Sequence, residues 1–436
     1  MKRITTLAMG LVVATLSQAQ QNMDLRQCIE RATEANNSIK QKEIALEKSE
    51  NSLSTSKGGY MPSVSAYATQ AFDFGRGLTV NNTYANQNVH STSFGVQANM
   101  TLFAGLRVRN GVAASRINVE YATADLQAAR EEIGIQVAAA YMQAVCDREI
   151  ADRAQEQVEL SRVQLARKEG LLKNGKASEA DVAEARSLVA QDEMTAVKAE
   201  NTYRLSLLSL AQLMELPSPD SLTLMTPDTT IMLGEIAGAD QVYQEALGNK
   251  ASVKAAQKRV EVAEKQISIA RGEHAPTLSL GAGIGTSYYG VNGQDNDSFG
   301  DQMSNNLNKS IQLQLSVPIF NRLETRNKVR EARMDHRSSQ VELDEVKKQL
   351  YKEIQQAYYN AVAAEATYQS SLAAAASADE AFRLAEGKYA QGVCSATDYA
   401  EARTNRLVAI SNMIQYKYEN IFRNKILDFY RGIEIQ

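Results

Sequence analysis

Tryptophan is absent from this 436-residue chain, and cysteine (3), histidine (3) and proline (6) are all scarce. Each scarcity removes a class of function. Cys28, Cys146 and Cys394 are an odd number spread far apart, so they exclude a disulfide framework and read as small helix residues. His90, His274 and His336 are too scattered for a metal site, and no HExxH, GxSxG or CxxC motif occurs. With no convergent Ser, His or Cys arrangement, the chain is not expected to be an enzyme or to carry a cofactor. The segment from Gly170 to Lys176 resembles a phosphate loop, but Ala177 replaces the Ser/Thr that would hold magnesium, and no strand precedes it. Basic residues (47) do not exceed acidic ones (51), which speaks against a nucleic-acid partner. No run approaches about 18 consecutive apolar residues, so no transmembrane helix is expected.

The chain opens with Lys2 and Arg3, an apolar stretch over 7–16 and the small-x-small triplet Ser17-Gln18-Ala19. This pattern predicts a secretory signal over 1–19, its apolar part far shorter than the roughly 20 residues needed to span a bilayer.

Beyond that segment the chain reads as two copies of one unit. Met61-Pro62-Ser63-Val64-Ser65 matches Ala275-Pro276-Thr277-Leu278-Ser279 at an offset of 214. Leu102-Phe103 matches Ile319-Phe320 at 217, as do Ala140-Tyr141 with Ala357-Tyr358, and Asp181 to Arg186 with Asp398 to Arg403. Repeat 1 is placed at 20–216, a linker at 217–238 and repeat 2 at 239–436.

Proline marks the boundaries. None falls between Phe103 and Leu216 or after Phe320, and proline breaks helix interiors. Both proline-free regions are rich in Ala, Leu, Glu, Lys, Gln and Arg, with apolar residues at helical spacing such as Ile133, Val137, Ala140 and Ala144. They predict long helices over 106–170 and 323–386, followed by helices over 178–216 and 395–433. Near the prolines the period changes to two. Phe94, Val96, Ala98, Met100 and Leu102 alternate with Ser93, Gly95, Gln97, Asn99 and Thr101, and 311–319 behaves alike. Hairpins are therefore expected over 62–103 and 276–320, with polar connections at about 73–92 and 288–309.

Lengths constrain the architecture. The helix over 106–170 would run roughly 98 Å, matched by 178–216 and 239–272 stacked end to end at roughly 58 and 51 Å. The same sum pairs 323–386 with 395–433 plus 24–58. Strands of about 10–12 residues can cross a bilayer when tilted. Four strands cannot close a barrel, and lipid forbids an open edge. An oligomer is required, and three copies would supply a 12-stranded barrel with its apolar face on outer-membrane lipid. Phe72, Phe74, Phe94, Phe103, Tyr288, Tyr289 and Phe320 fit interfacial girdles.

The duplication, the Pro62 and Pro276 strand starts, the Leu102-Phe103 and Pro318-Ile319-Phe320 strand exits, and the tips Gly175 to Asp181 and Gly392 to Asp398 together resemble the TolC family of outer-membrane efflux proteins. The resemblance covers nearly the whole chain after the signal. It implies a mainly α fold with a transmembrane β part: a homotrimer whose β-barrel continues into a periplasmic α-helical barrel. It also implies a periplasmic adaptor protein and an inner-membrane pump of RND, MFS or ABC type. The implied function is an outer-membrane exit duct, passive, for solutes or proteins; a periplasmic coiled-coil scaffold is the alternative. By the same resemblance Asp398 and Glu401, three apart and so on one helix face, match an acidic periplasmic constriction. Tyr389 matches a gate tyrosine with Asp181 as its hydrogen-bond partner, and Cys394 stands where some members have a gate arginine. Adaptor docking is expected at the tips, where Gly175 and Gly392 permit tight turns, Ser178 and Ser395 cap helices, and Lys176 lies alongside.

Overall fold

The computed structural model describes residues 21–78, 82–219, 222–226 and 236–433. The signal expected over 1–19 and part of the 217–238 linker lie outside the described residues. In chain order the elements are β1 (Gln21–Met23), α1 (Leu25–Ala35), α2 (Asn37–Gly58), β2 (Ser63–Leu78), β3 (Tyr84–Ala104), α3 (Arg107–Lys173), α4 (Glu179–Leu213) and β4 (Leu222–Leu224). They continue with α5 (Ala239–Asn249), α6 (Ala251–Gly272), β5 (Thr277–Val291), α7 (Phe299–Asn305), β6 (Asn308–Ser316), α8 (Glu324–Ala390) and α9 (Ala396–Tyr430). The two halves carry helices of the same lengths, 11, 22, 67 and 35 residues.

Two compact units cut across the repeats instead of following them. One holds the described residues within 1–41, 127–250 and 349–436, the other those within 42–126 and 251–348. Each therefore combines segments of both repeats.

The second unit contains a four-stranded antiparallel sheet in the order β2-β3-β5-β6. Its register places Val64, Ala98, Ala282 and Ile311 in one cross-strand row, and Ser65, Gln97, Gly283 and Ser310 in the next. One face is thus mainly apolar, its polar members including Lys309, Thr286, His90 and the Gln70–Thr92 pair, in which Gln70 accepts the Thr92 hydroxyl. The sequence placed Leu102 on this face. A register shift between Thr101 and Phe103 instead sets Phe103 opposite Leu278. Such a bulge inserts one residue and reverses the alternation beyond it.

Three connections differ from expectation. The 73–92 segment is mostly strand, since backbone pairing from Asp73–Val89 to Leu78–Tyr84 needs no apolar face. The 288–309 segment contains the end of β5 and the helix α7. Gln302 accepts from the Tyr289 N–H at 2.9 Å and donates to its carbonyl at 3.0 Å, doing the work of a paired strand residue. Residues 317–320, expected as strand, form none.

Where the sheet meets the long helices the backbone turns left-handed twice in succession, at Gly105 (φ 60°) and Leu106 (62°), then at Arg322 (54°) and Leu323 (69°). A Cβ on Gly105 would overlap the Gly272 carbonyl oxygen, and one on Gly272 would lie 2.5 Å from the Gly105 carbonyl. Two backbones touch here.

The first unit is held by buried polar clamps. The parallel β1–β4 ribbon docks on α3, where the Tyr141 hydroxyl donates to the carbonyls of Met225 (2.6 Å) and Met23 (3.3 Å). Burial pushes its phenol well above the ordinary range, so it stays a donor. Arg148 donates to Leu224 O and Thr226 Oγ1.

The helices expected over 24–58 and 239–272 are each broken once. Asn36 (ψ 131°) and Lys250 (ψ 126°) adopt extended backbone between helical neighbours. Both joints lie against a helix end from their own repeat. Asn36 donates to Leu213 O at the end of α4 (3.0 Å). Lys250 sits 3.3 Å from the Phe429 ring centroid at the end of α9 and pairs with Glu131. The stacking partners read from length sums were therefore exchanged. Equal helix lengths in both repeats made the two assignments numerically indistinguishable.

Gly105→Ala and Gly272→Ala are each expected to destabilise the fold by about 2–4 kcal/mol through backbone overlap, lowering the thermal unfolding midpoint. Gly111→Ala, in open space on α3, should leave it unchanged or raise it.

Candidate functional site

The two helical tips are built to one plan. α3 and α8 each end with a glycine in the left-handed region, Gly175 (φ 69°) and Gly392 (φ 75°). Lys176 N–H donates to Leu171 O at 2.8 Å and Gly175 N–H to Leu172 O at 2.9 Å. Val393 N–H to Lys388 O (3.0 Å) and Gly392 N–H to Tyr389 O (3.1 Å) repeat that pattern. This paired 6→1 and 5→2 bonding satisfies carbonyls left over at a helix end, and glycine supplies the positive φ without a Cβ penalty. Two residues later the next helix is capped. Ser178 Oγ accepts from Asp181 N–H (3.2 Å), and Ser395 Oγ from Asp398 N–H (3.1 Å).

The acids at equivalent positions then part company. The Asp181 carboxylate accepts from the Ser178 N–H (2.9 Å) and hydroxyl (2.6 Å), and pairs with Lys168 Nζ at 3.4 Å. These bonds, the Ser178 hydroxyl foremost, hold its pKa down at about 2. The residue 217 positions after Lys168 is Ala385, so the second tip lacks that cation. Asp398 and Glu401 are both exposed, and no ion pair engages either among the described residues. Asp181 is committed to its own turn, while Asp398 and Glu401 face solvent, as do Glu179 and Glu184 of the first tip.

Tyr389 is not joined to Asp181 by a hydrogen bond within the chain, among the described residues. It stacks face to face on Tyr399 at 4.6 Å, and Lys168 lies 4.7 Å above its ring. Lys168 thus stands between the two residues that the family resemblance pairs. Phe382 also packs against Tyr399, tilted at 5.7 Å, under the Arg406 guanidinium. Deeper still, Arg403 and Asp192 make a two-pronged ion pair, 2.7 and 2.9 Å, between α9 and α4. Its side chains are only 6% and 8% exposed. Cys394 donates weakly to Ser395 O at 3.5 Å. Leu171 and Leu172 are half-buried, whereas Val393 and Lys176 are exposed.

Sequence reasoning did not find Lys168, Tyr399, Asp192 or Arg403. Arg403 did show as the last residue of a repeated Asp-x-Ala-Glu-Ala-Arg segment. Its partner was hidden because Asp192 has no acidic counterpart, Ala409 occupying that place.

The chain matches the family model described as outer membrane efflux protein over residues 28–215 and 242–421. The outer membrane efflux protein BepC of Brucella suis is 24% identical over 318 residues, 72% of this chain and 64% of that protein. Protein CyaE of Bordetella pertussis is 23% identical over 281 residues, 64% of this chain and 58% of that one. This chain thus spans less than two thirds of the length of either relative. The outer membrane protein VceC of Vibrio cholerae shares the fold, with a TM-score of 0.74 at 18% identity, covering 94% of this chain and 97% of that one.

Removing one partner of the buried Asp192–Arg403 pair strands a charge. Asp192→Leu or Arg403→Met alone should cost about 3–5 kcal/mol, while the double variant should be near neutral; thermal midpoints of the four proteins test this. The Asp181 carboxylate should titrate near 2 by carbon NMR. Because its folded pKa is depressed, its stabilisation is present above its ordinary 3.8 and is lost as pH falls toward 2. Ser178→Ala should move the titration midpoint up toward the ordinary value.

Proposed function

This chain belongs to the outer membrane efflux protein family, and from that premise we propose that it is an outer-membrane exit duct, a passive channel for solutes or proteins. An inner-membrane pump would deliver the cargo through a periplasmic adaptor. The observation that carries this reading is the two-sided sheet. Ile311, Leu313 and Leu315 on β6 are 84, 63 and 64% exposed, on the same face as exposed Val64, Phe72, Phe94 and Ile284. A contiguous apolar face of this kind needs a non-aqueous neighbour. The opposite face carries Ser, Gly, Gln and Asn, suited to a wet lumen.

The sheet has two unpaired edges, β2 and β6. In lipid each unsatisfied backbone group costs several kcal/mol, so an open sheet cannot remain there. Closure by three copies gives a barrel of about 12 strands, within the range of such barrels. A water-soluble periplasmic scaffold is the competing reading, and the exposed apolar face speaks against it. A detergent requirement and a trimer that dissociates on heating support the duct; a detergent-free soluble protein removes it.

The tips are the proposed selective end. The capping bonds and Lys168 occupy Asp181, whereas Asp398 and Glu401 face solvent unpaired among the described residues. Three copies would stack them as acidic rings that attract cations and repel anions. Tyr389 and Asp181 belong to the same gate through Lys168, and the exposed turn around Gly175, Lys176, Ser178, Gly392 and Ser395 is the proposed adaptor contact.

Asp398→Ala combined with Glu401→Ala is expected to lower cation selectivity and weaken block by multivalent cations in planar-bilayer conductance recordings. Selectivity equal to the parent would remove both residues from the gate.

A further inference from the structure

The polar face of the sheet carries an aromatic ring laid flat on glycine. Tyr67, Gly95, Gly285 and Asn308 form one cross-strand row on that face. A Cβ on Gly95 would lie 2.6 Å from Tyr67 Cζ and 2.7 Å from both Cε1 and Oη. Near-equal distances to three successive atoms put that point above the ring plane, so one face of the ring rests on the Gly95 backbone. The hydroxyl reaches on toward β5, 3.4 Å from where a Gly285 Cβ would be. A larger residue at 95 would lift the ring. Its other face is turned to solvent, Tyr67 being 47% exposed.

Beside the ring the sheet is hollowed. A cavity of about 380 Å³ is lined by Tyr67 with Ser93, Gln97, Ser287, Asn308 and Ser310, over Gly283 and Gly285. That volume lies at the lower end of the roughly 300–1,000 Å³ typical of small-ligand sites. No charged side chain lines it. Among the described residues, the Tyr67 hydroxyl and the Gln97 and Asn308 amides make no hydrogen bond within the chain.

We infer that this hollow binds a neutral saccharide, with Tyr67 as the stacking platform and the Gln97 and Asn308 amides as hydrogen-bonding partners. One side of a pyranose ring is a patch of C–H groups, which the negative face of an aromatic ring attracts. Its rim is a set of hydroxyls, each both donor and acceptor. Amides and serine hydroxyls also offer both, so Gln97, Asn308 and Ser310 can answer that rim without fixed charge. The alternatives fit less well. A metal ion finds no carboxylate, imidazole or thiol in the lining, and a phosphate finds no cation. An apolar solute would cover the amides and leave them unpaired. The site lies within one chain and needs no second copy. It rests on the duct reading only for its place, which would be the lumen wall.

The test uses the full chain in a detergent without a sugar headgroup, with maltotriose as the probe and saturation-transfer NMR as the readout. Transfer should be strongest at the pyranose C–H protons, with half-saturation in the millimolar range. Tyr67→Ala should raise the half-saturating concentration about fivefold. Tyr67→Phe keeps the ring and its packing on Gly95, so it should change binding less and guards against a folding defect. Gln97→Ala combined with Asn308→Ala should raise it about tenfold. Tyr84→Ala, at an exposed tyrosine outside the hollow, should have no effect. Absence of transfer, or transfer that Tyr67→Ala leaves intact, overturns the site. Binding of phenol without any transfer to maltotriose overturns the ligand class. Planar-bilayer conductance of the same protein separates this inference from the duct reading. A conducting protein without saccharide transfer keeps the duct and loses the site, and saccharide transfer without conductance keeps the site and loses the duct.

Discussion

Backbone hydrogen bonding at the edges of a sheet is the constraint on which the rest of this structure depends. A strand that faces lipid cannot leave N–H and C=O groups unpaired, because no water is present to take them. The chain answers this in two ways. Where β5 runs past the start of β6, the loop containing α7 turns back and Gln302 satisfies both backbone groups of Tyr289, while Asn306 donates to Ser287 O. These are local repairs by side-chain amides, outside the stretch where strands pair. β2 and β6 are the outer strands of the sheet, and neither pairs with a further strand among the described residues. In the proposed duct folding and assembly would therefore be coupled, since the apolar face could enter a bilayer only with the edges closed.

The same constraint explains why the duplicated helices keep their lengths so strictly. Helices of 11, 22, 67 and 35 residues recur in both halves. A change of one residue in a long helix would rotate everything beyond it by about 100° and shift it by roughly 1.5 Å, spoiling the match at both ends. Side chains at equivalent positions are under no such restriction, and they have diverged. Asn36 and Lys250 occupy the same joint, one through an amide-to-carbonyl bond and the other through an ion pair and a cation–π contact. Lys250 is the more demanding choice, since burial lowers its pKa and Glu131 must compensate. Length is shared between the repeats, and chemistry is where they differ.

That difference governs what could be read from residues alone. Periodicity and proline placement located the hairpins and long helices, because both signals are local. The breaks at Asn36 and Lys250 left no trace, since neither residue is a helix breaker and each is set by packing at the joint. The bulge at Leu102 was hidden for a similar reason: Met100, Leu102 and Phe103 are all apolar, so alternation could not reveal which one changed face. The end of β6 at Ser316 was missed because strand-forming side chains at 317–320 lack a neighbour within the chain. At the tips, Asp398 and Glu401 were visible as acids on one face. The Asp192–Arg403 pair spans 211 residues of sequence, and no spacing rule reaches that far. Lys168 was equally invisible, although its replacement by Ala385 in the second repeat adds to the Ser178 bonds in separating Asp181 from Asp398.

Fixed charge is sparse on the polar face of the sheet, where Asp73, opposite Val89, is a carboxylate among hydroxyls, amides and glycines. The polar face of the sheet runs through the rows Ser63–Asn99–Gly281–Gln312, Ser65–Gln97–Gly283–Ser310 and Tyr67–Gly95–Gly285–Asn308. None of these rows holds a carboxylate, an amine or a guanidinium. Hydroxyls and amides hydrate a passing solute without sorting it by sign. Coulombic selection needs fixed charges close to the solute, because screening weakens them beyond about 8–10 Å at physiological salt. In the proposed duct Asp398 and Glu401 supply such charges at the second tip, and the acid equivalent to Asp398, Asp181, is engaged by Ser178 and Lys168.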